Sequence, residues 1–296
     1  MTERRETDRE DATPAEGDGE RIAKYLARAG VASRREVERM IADGRVAVEG
    51  VVLDSPAFKV SGRERIAVDG QAVLRPDRTR LWRYHKPIGL VTTNSDPEGR
   101  PTVFDALPVG LPRVITIGRL DLNTEGLLLL TNDGEFARRL ELPANGLERR
   151  YRARAYGRIE QAELDRLLSG VVHEGVVYRP IQARLVRQTG SNSWIEMTLT
   201  EGKKREARRA LESLGLKVNR LIRTAYGPVE LGDLKPGEVA EVPARDIRAA
   251  FGQAIGREPG PAETPRPSTE TDARPQRRRA GGAGKARRPA AGRART

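Results

Sequence analysis

The sequence predicts an α+β fold, with a small αα-β domain near the N-terminus and a larger domain of strands with flanking helices. Three patterns carry that expectation. Residues 22–41 place apolar side chains at helical spacing and are followed by short strand-and-turn punctuation. Leu127-Leu128-Leu129-Leu130 is an unbroken apolar run between Gly126 and the turn-forming Asn132-Asp133-Gly134, and this brevity between breakers reads as a buried strand although leucine favours helices. Further on, residues 147–157 alternate, with Arg150, Arg152 and Arg154 on one face of a strand and Tyr151 on the other.

Composition limits the partners. Fifty-four Lys and Arg against 42 Asp and Glu leave a formal charge of +12 over 296 residues, which favours a polyanion such as nucleic acid. Aromatics are only 4% of the chain, so binding should rest on phosphate contacts and shape more than on base stacking. Cysteine is absent, which removes disulfides, thiolate nucleophiles and Cys-type zinc sites and fits a reducing cytoplasm. The two histidines, His85 and His173, lie far apart, so neither a His-based metal centre nor a Ser-His-Asp triad is supported. The start of the chain has no apolar targeting segment and no stretch approaches eighteen apolar residues, so a soluble, unexported protein is expected.

Taken in order, residues 1–19 hold seven acids and three bases with almost no large apolar side chain, and read as a disordered acidic leader. Residues 20–73 form the small domain. Ile22, Leu26 and Ala29 mark one helix closed by Gly30; Ser33 caps a second whose apolar side is Val37, Met40 and Ile41. Residues 46–52 read as a tight hairpin and residues 65–70 as a further strand and turn. Residues 74–80 are the linker, and residues 81–251 the larger domain. The tail, 252–296, is rich in Pro, Gly and Ala, with nine bases and no acid from Arg274 onward. With +9 in the tail and −4 in the leader, +7 of the total remains on residues 20–273. The tail reads equally as a phosphate-binding arm or a solubilising extension.

Within the larger domain, residues 81–93 suggest a strand that bends at Lys86-Pro87-Ile88-Gly89 and resumes. Residues 94–105 suggest a polar loop ending in a short helix, and residues 134–140 a short helix. A helix follows over residues 161–169, then a turn over residues 170–175 that leaves His173 exposed, then strands over residues 181–186 and 194–199. Gly202 turns the chain into a helix that Gly215 ends, with Ala207, Ala210, Leu211 and Leu214 on its apolar side. Five bases in residues 203–209 oppose the helix dipole, a local charge that suggests an anion to be met.

The leucine strand puts Asp121 on the loop just before a rigid element, beside Arg119 and ahead of Thr124 and Gly126, where a carboxylate is held yet open to a ligand. Spacing alone is met as well by an Asx turn and core leucines. The string Gly118-Arg119-Leu120-Asp121-x-x-Thr124-x-Gly126-Leu127-Leu128-Leu129-Leu130-Thr131-x-Asp133-Gly134 resembles the signature of the RsuA/RluB family of ribosomal RNA pseudouridine synthases. Asp96-Pro97-Glu98-Gly99-Arg100-Pro101-Thr102-Val103-Phe104-Asp105 is especially like the RluB branch. The run from Ala27 to Glu36, followed by Ile41 to Gly50, resembles the αL RNA-binding module first named from a small-subunit ribosomal protein.

The resemblance spans about residues 20–250. It implies a catalytic domain on a mainly antiparallel mixed sheet with flanking helices. It also implies isomerisation of uridine to pseudouridine in ribosomal RNA, with the large subunit (23S) as the expected target. By it Asp121 is the catalytic aspartate, Tyr151 lies against the target base, and Arg208 is the basic residue paired with Asp121, holding it as the anion. Ala207 departs from the larger aliphatic residue usual there. RNA contacts are expected from Lys24, Arg28, Arg34, Arg35 and Arg39 in the small domain, and from Lys86, Arg119, Thr124, Lys203 and Arg205 in the larger one. No metal, cofactor or membrane is called for, and a monomer is expected.

Two other classes compete. A non-catalytic ribosome-assembly factor would use the same basic surfaces, and a glycoside hydrolase would pair Asp121 with Glu125. A core of +7 and an RNA-binding module suit a neutral sugar poorly.

Overall fold

The computed structural model describes residues 19–252, so the expected acidic leader and basic tail lie, apart from Gly19 and Gly252, outside the described residues. The N-terminal part runs β1 (Glu20–Arg21), α1 (Ile22–Arg28), α2 (Arg34–Ala42), β2 (Val46–Val48), β3 (Val51–Val52), β4 (Lys59–Val60), β5 (Ile66–Val68) and β6 (Gln71–Ala72). Ser33 caps α2, its hydroxyl accepting from the Glu36 N–H at 3.2 Å. Ile22, Leu26, Val37 and Ile41 of the two helices are buried against Val46, Val48 and Ile66 of the four-stranded sheet β3-β2-β5-β6. Between β2 and β3, Glu49 and Gly50 both take left-handed φ, +50° and +85°, as a two-residue turn matched to strand twist requires.

The larger part runs β7 (Leu81–Lys86), β8 (Ile115–Ile117), β9 (Glu125–Thr131), α3 (Gly134–Glu141), β10 (Arg149–Tyr156), α4 (Gln161–Leu164), β11 (Val171–His173), β12 (Val176–Tyr178), β13 (Gln182–Thr189), β14 (Asn192–Leu199), α5 (Glu206–Glu212), β15 (Lys217–Tyr226), β16 (Val229–Glu230), β17 (Val239–Glu241) and α6 (Ala244–Phe251). Nine strands form one mixed sheet in the order β13-β14-β10-β15-β9-β7-β17, with β16 beside β15 and β8 beside β9. Only the β9–β15 pair is parallel.

The leucine run is β9, and both of its faces are covered. Leu127 and Leu129 pack with Phe136, Leu140, Ile247 and Phe251 of α3 and α6; Leu128 and Leu130 pack with Trp82, Tyr84, Val103 and Leu120. A central strand covered on both sides reads as continuous rather than alternating apolar sequence. On the other half of the sheet, Ala153, Ala155, Ile195, Met197 and Leu221 face Leu164, Ala207, Ala210 and Leu211 of α4 and α5.

The local expectations need four corrections. β7 stops at Lys86 and does not resume; Val91 makes a single bridge to Thr102, because the chain turns back at Ile88-Gly89 to form the floor of the Asp121 loop. Residues 94–105 end in turns without a helix, Asp105 accepting from the Thr102 N–H and hydroxyl, both at 2.8 Å. Residues 170–175 are part of a hairpin, β11–β12, and His173 is half-buried in it rather than exposed. The helix expected after Gly202 begins only at Glu206, since Arg205 takes a left-handed φ of +56°; Lys203 and Lys204 therefore precede the helix.

Candidate active site

The loop between β8 and β9 carries Asp121, and its backbone is held carbonyl by carbonyl. Leu120 O accepts from the Thr92 hydroxyl at 2.8 Å. Asp121 O accepts from the Thr124 N–H at 3.0 Å and from Lys86 Nζ at 3.3 Å. Leu122 O takes the Gly89 N–H at 2.9 Å, Asn123 O takes Arg208 Nη2 at 2.6 Å, and Thr124 O takes Lys86 Nζ at 3.0 Å. Five successive carbonyls are thus satisfied. The Asp121 side chain is half-buried and, among the described residues, makes no hydrogen bond or ion pair of its own. The loop is fixed while its carboxylate is left free.

Two buried cations do the fixing. Lys86, at the end of β7, is 0% exposed and also donates to Pro87 O at 2.9 Å. Burial pulls its ammonium down to about 8, opposed by the negative charges of Asp121 and Glu125. Arg208, on α5, is 5% exposed and joins Asn123 O to Val218 O, the latter at 3.0 Å. Burial, and then Arg205, lower its pKa while Asp121 and Glu212 raise it. Arg208 therefore reaches Asp121 through the electric field and through the Asn123 backbone, not by the direct pair that the resemblance implied. Its Nε is buried without a partner.

Gly126 sets how closely the loop approaches the sheet. Its φ is +102°, and a Cβ there would lie 2.3 Å from Arg223 O and 2.7 Å from Arg223 N. Only glycine lets the start of β9 pair in parallel with β15 at this separation. Next to it, Glu125 accepts a bidentate pair from Arg220, at 2.6 Å and 3.1 Å. That commitment removes Glu125 as the second carboxylate of a glycosidase.

Tyr151, on β10, is half-buried and packs against both the cluster that holds Leu120 and the cluster under α5. It therefore lies on the same sheet face as Asp121 and Arg208. Arg223, opposite both Tyr151 and Gly126, is 3% exposed, donates Nε to Leu127 O at 2.7 Å and stacks 5.3 Å from the Tyr226 ring; its Nη2 has no partner. Thr92, Arg220 and Arg223 were not marked by any spacing in the sequence. β15, with Lys217, Asn219 and Thr224 beside them, offers no apolar background against which the last two would stand out.

The residues expected at the RNA surface divide. Arg34, Arg35 and Arg119 are exposed, and Lys203 is exposed but paired to Glu201 at 3.0 Å and donates to Val177 O at 2.7 Å. Arg39 is exposed but paired to Glu36, Arg28 is paired to Glu20, and Lys24 bridges Glu20 and Glu135, the latter at 2.6 Å. Arg205 is half-buried and 3.6 Å from Glu212. Lys86 and Thr124 are corrections: at 0% and 2% exposure neither can reach a phosphate, because β7 delivers Lys86 beneath the loop and Thr124 is buried just ahead of β9. Among the described residues no helix is long and apolar enough to cross a membrane.

Residues 80–213 match the RNA pseudouridylate synthase family and residues 20–66 the S4 domain. An uncharacterised RNA pseudouridine synthase of Rickettsia typhi is 48% identical over 222 residues, covering 75% of this chain and 91% of its own length. Ribosomal large subunit pseudouridine synthase B of Pseudomonas aeruginosa is 41% identical over 289 residues, covering 94% of this chain and 73% of that one. A crystal structure of a pseudouridylate synthase superposes with a TM-score of 0.54 at 25% identity, over 78% of this chain and 99% of the other. The chain belongs to the RNA pseudouridylate synthases, in the RsuA/RluB family, with an S4 domain ahead of the synthase domain.

Proposed function

We propose that the chain isomerises a uridine of large-subunit (23S) ribosomal RNA to pseudouridine, with Asp121 as the reacting carboxylate. The reaction breaks the bond from the sugar C1′ to uracil N1, turns the ring and joins C1′ to C5; the C5 proton leaves and N1 regains one, so atoms balance without a co-reactant. The observation that carries the reading is a carboxylate free of protein partners on a loop whose carbonyls from Leu120 to Thr124 all have donors. Such a group meets substrate pre-oriented, and carboxylates act in this way in other glycosyl transfers.

In this proposal Tyr151 lies against the uracil once the base is out of its stack, which costs a few kcal/mol offset by stacking and phosphate contacts. Arg208 positions the loop and contributes positive potential to the anion. Residues 20–73 place the protein on structured RNA through Arg34, Arg35 and Arg39, joined through residues 74–80 to the chemistry in residues 81–251. A monomer acting in the cytoplasm is part of the same proposal, and the cysteine-free sequence suits that compartment. The similarity to a ribosomal large subunit pseudouridine synthase supports the choice of RNA.

The test is Asp121→Asn. Pseudouridine should vanish from its position in 23S RNA, mapped in cells with and without the variant, while affinity for the RNA stays within about threefold, because the amide is isosteric. Modification retained by the variant would refute the assignment. Modification unaffected by loss of the whole protein would favour a non-catalytic assembly role.

A further inference from the structure

Four strands, β13, β14, β10 and β15, form an antiparallel stretch of the sheet. One face is the core beneath α4 and α5. The opposite face alternates out of register with Tyr151 and so points away from Asp121. It carries Arg152, Arg154 and Tyr156 from β10, Trp194 from β14, Arg187 from β13 and Arg220 from β15. All but half-buried Trp194 are exposed, Tyr156 by 56%.

Their arrangement is unusual for a surface that is only solvated. Trp194 sits directly between Arg154 on one neighbouring strand and Arg187 on the other, and Arg154 in turn faces Arg220 across β15. The Arg152 guanidinium lies 4.9 Å over the Trp194 ring. Like charges directly opposite on a sheet repel. Arg220 is answered by Glu125, and Glu196, directly opposite Arg152 on β14, is taken by Arg184, so Arg152, Arg154 and Arg187 make no ion pair among the described residues. Arg152, Arg187, Trp194 and Arg220, with Val186 and Ile222, line an open cavity of about 390 Å³. Tyr156 stands one diagonal step along from Trp194, since Tyr156 pairs with Asn192 and Arg154 with Trp194. Two rings at that spacing, flanked by Arg154 and with Arg187 beside Trp194, match a backbone charge repeating beside successive bases.

We propose that this face binds a single-stranded stretch of the RNA substrate, one base on Trp194 and the next on Tyr156, with phosphates met by Arg154 and Arg187. A sheet face bearing aromatic rings and arginines suits unpaired nucleotides, because every base has a face to stack and every linkage a charge. The inference rests on the reading that this chain acts on RNA, and it adds a contact remote from Asp121.

The test uses the full-length chain and octa-adenylate, which holds no uridine to occupy the catalytic site. By fluorescence polarisation, Trp194→Ala and Tyr156→Ala should each weaken binding about tenfold, with Trp194→Phe restoring most of it. Arg154→Ala and Arg187→Ala should each lower the slope of log affinity against log salt by about one. In a Trp82→Phe background Trp194 is the sole tryptophan, and its emission should be quenched saturably. Conversion of a minimal uridine stem-loop should be unchanged in all of these variants. Unchanged octa-adenylate affinity and salt slope, with the stem-loop still converted, would overturn this inference and leave the proposed function standing. Quenching by a peptide of residues 1–18 and not by RNA would overturn it in favour of the chain's own acidic segment. Failure of the wild type to bind or convert any RNA would sink both.

Discussion

Lys86→Met tests whether the Asp121 loop is held from below. Lys86 Nζ lies within reach of four carbonyls, at 2.9 Å (Pro87), 3.0 Å (Thr124), 3.3 Å (Asp121) and 3.5 Å (Leu122). An ammonium has three protons to give. Asp121 O and Leu122 O keep second donors in the N–H groups of Thr124 and Gly89. Pro87 O and Thr124 O do not, so methionine orphans two buried carbonyls, at about 1–3 kcal/mol each. Against this, methionine relieves a buried charge whose pKa has moved from 10.5 to about 8, worth roughly 3 kcal/mol. The net loss of stability is therefore modest, up to about 3 kcal/mol.

Activity should suffer more. A loop loosened by an ångström costs on the order of a hundredfold in rate, and because Lys86 is fully buried, RNA affinity should stay within about threefold. The sign of the pH effect adds a second check. A lysine whose folded pKa is depressed gives up its proton first in the folded state, so between about pH 8 and 10.5 the unfolded chain holds more protons and stability rises with pH. The wild type should gain on Lys86→Met across that window, measured by urea unfolding beside single-turnover pseudouridine formation. A variant rate within threefold of wild type, or a stability difference flat from pH 7 to 10.5, would refute the reasoning.

Two further perturbations address the scaffold. Gly126→Ala puts a methyl 2.3 Å from Arg223 O at a φ of +102°, and should cost at least about 4 kcal/mol in chemical unfolding or leave no folded protein; an unchanged midpoint would show that β9 and β15 can separate cheaply. Glu206, which starts the helix bearing Arg208, is 4% exposed and burial raises its carboxyl from 4.5 to about 7. From about pH 4.5 to 7 the unfolded chain ionises this group first and the folded chain keeps its proton, so the wild type should lose about 1–3 kcal/mol over that window. Glu206→Gln should be flat there, and parallel pH curves for the two proteins would count against the burial.

The parts of the site legible in sequence were those set by neighbours along the chain. Asp121, Thr124, Gly126 and the leucine strand occupy one continuous segment, and the strand announced itself because both of its faces are buried. A lysine in a basic chain is ordinarily solvated, so nothing local marks Lys86 as buried. Its true place follows from β7 pairing antiparallel with β9, which brings Lys86 opposite Gly126 from 40 residues away, a relation no local pattern encodes. β15 mixes Lys217, Asn219, Arg220, Arg223 and Thr224 with its apolar residues and so shows no strand period; the counter-charge of Arg220 and the acceptor of Arg223, Glu125 and Leu127 O, lie on β9. The β11–β12 hairpin was read as a turn because its strands are three residues each around Glu174-Gly175.

A direct Arg208–Asp121 pair, which the resemblance implied, would suit the proposed reaction less well. A carboxylate clamped by a guanidinium spends its lone pairs on two charge-assisted hydrogen bonds, which must be given up before it can meet a sugar or a base. The structure directs the cations elsewhere. Arg208 and Lys86 bind the carbonyls of Asn123, Asp121 and Thr124, so their charge reaches Asp121 through space while their hydrogen bonds fix only its backbone. Potential and placement are supplied without occupying the Asp121 carboxylate oxygens. It follows that an arginine-to-lysine change at 208 should be worse than its conserved charge suggests, since lysine cannot span the Asn123 and Val218 carbonyls as a planar fork does.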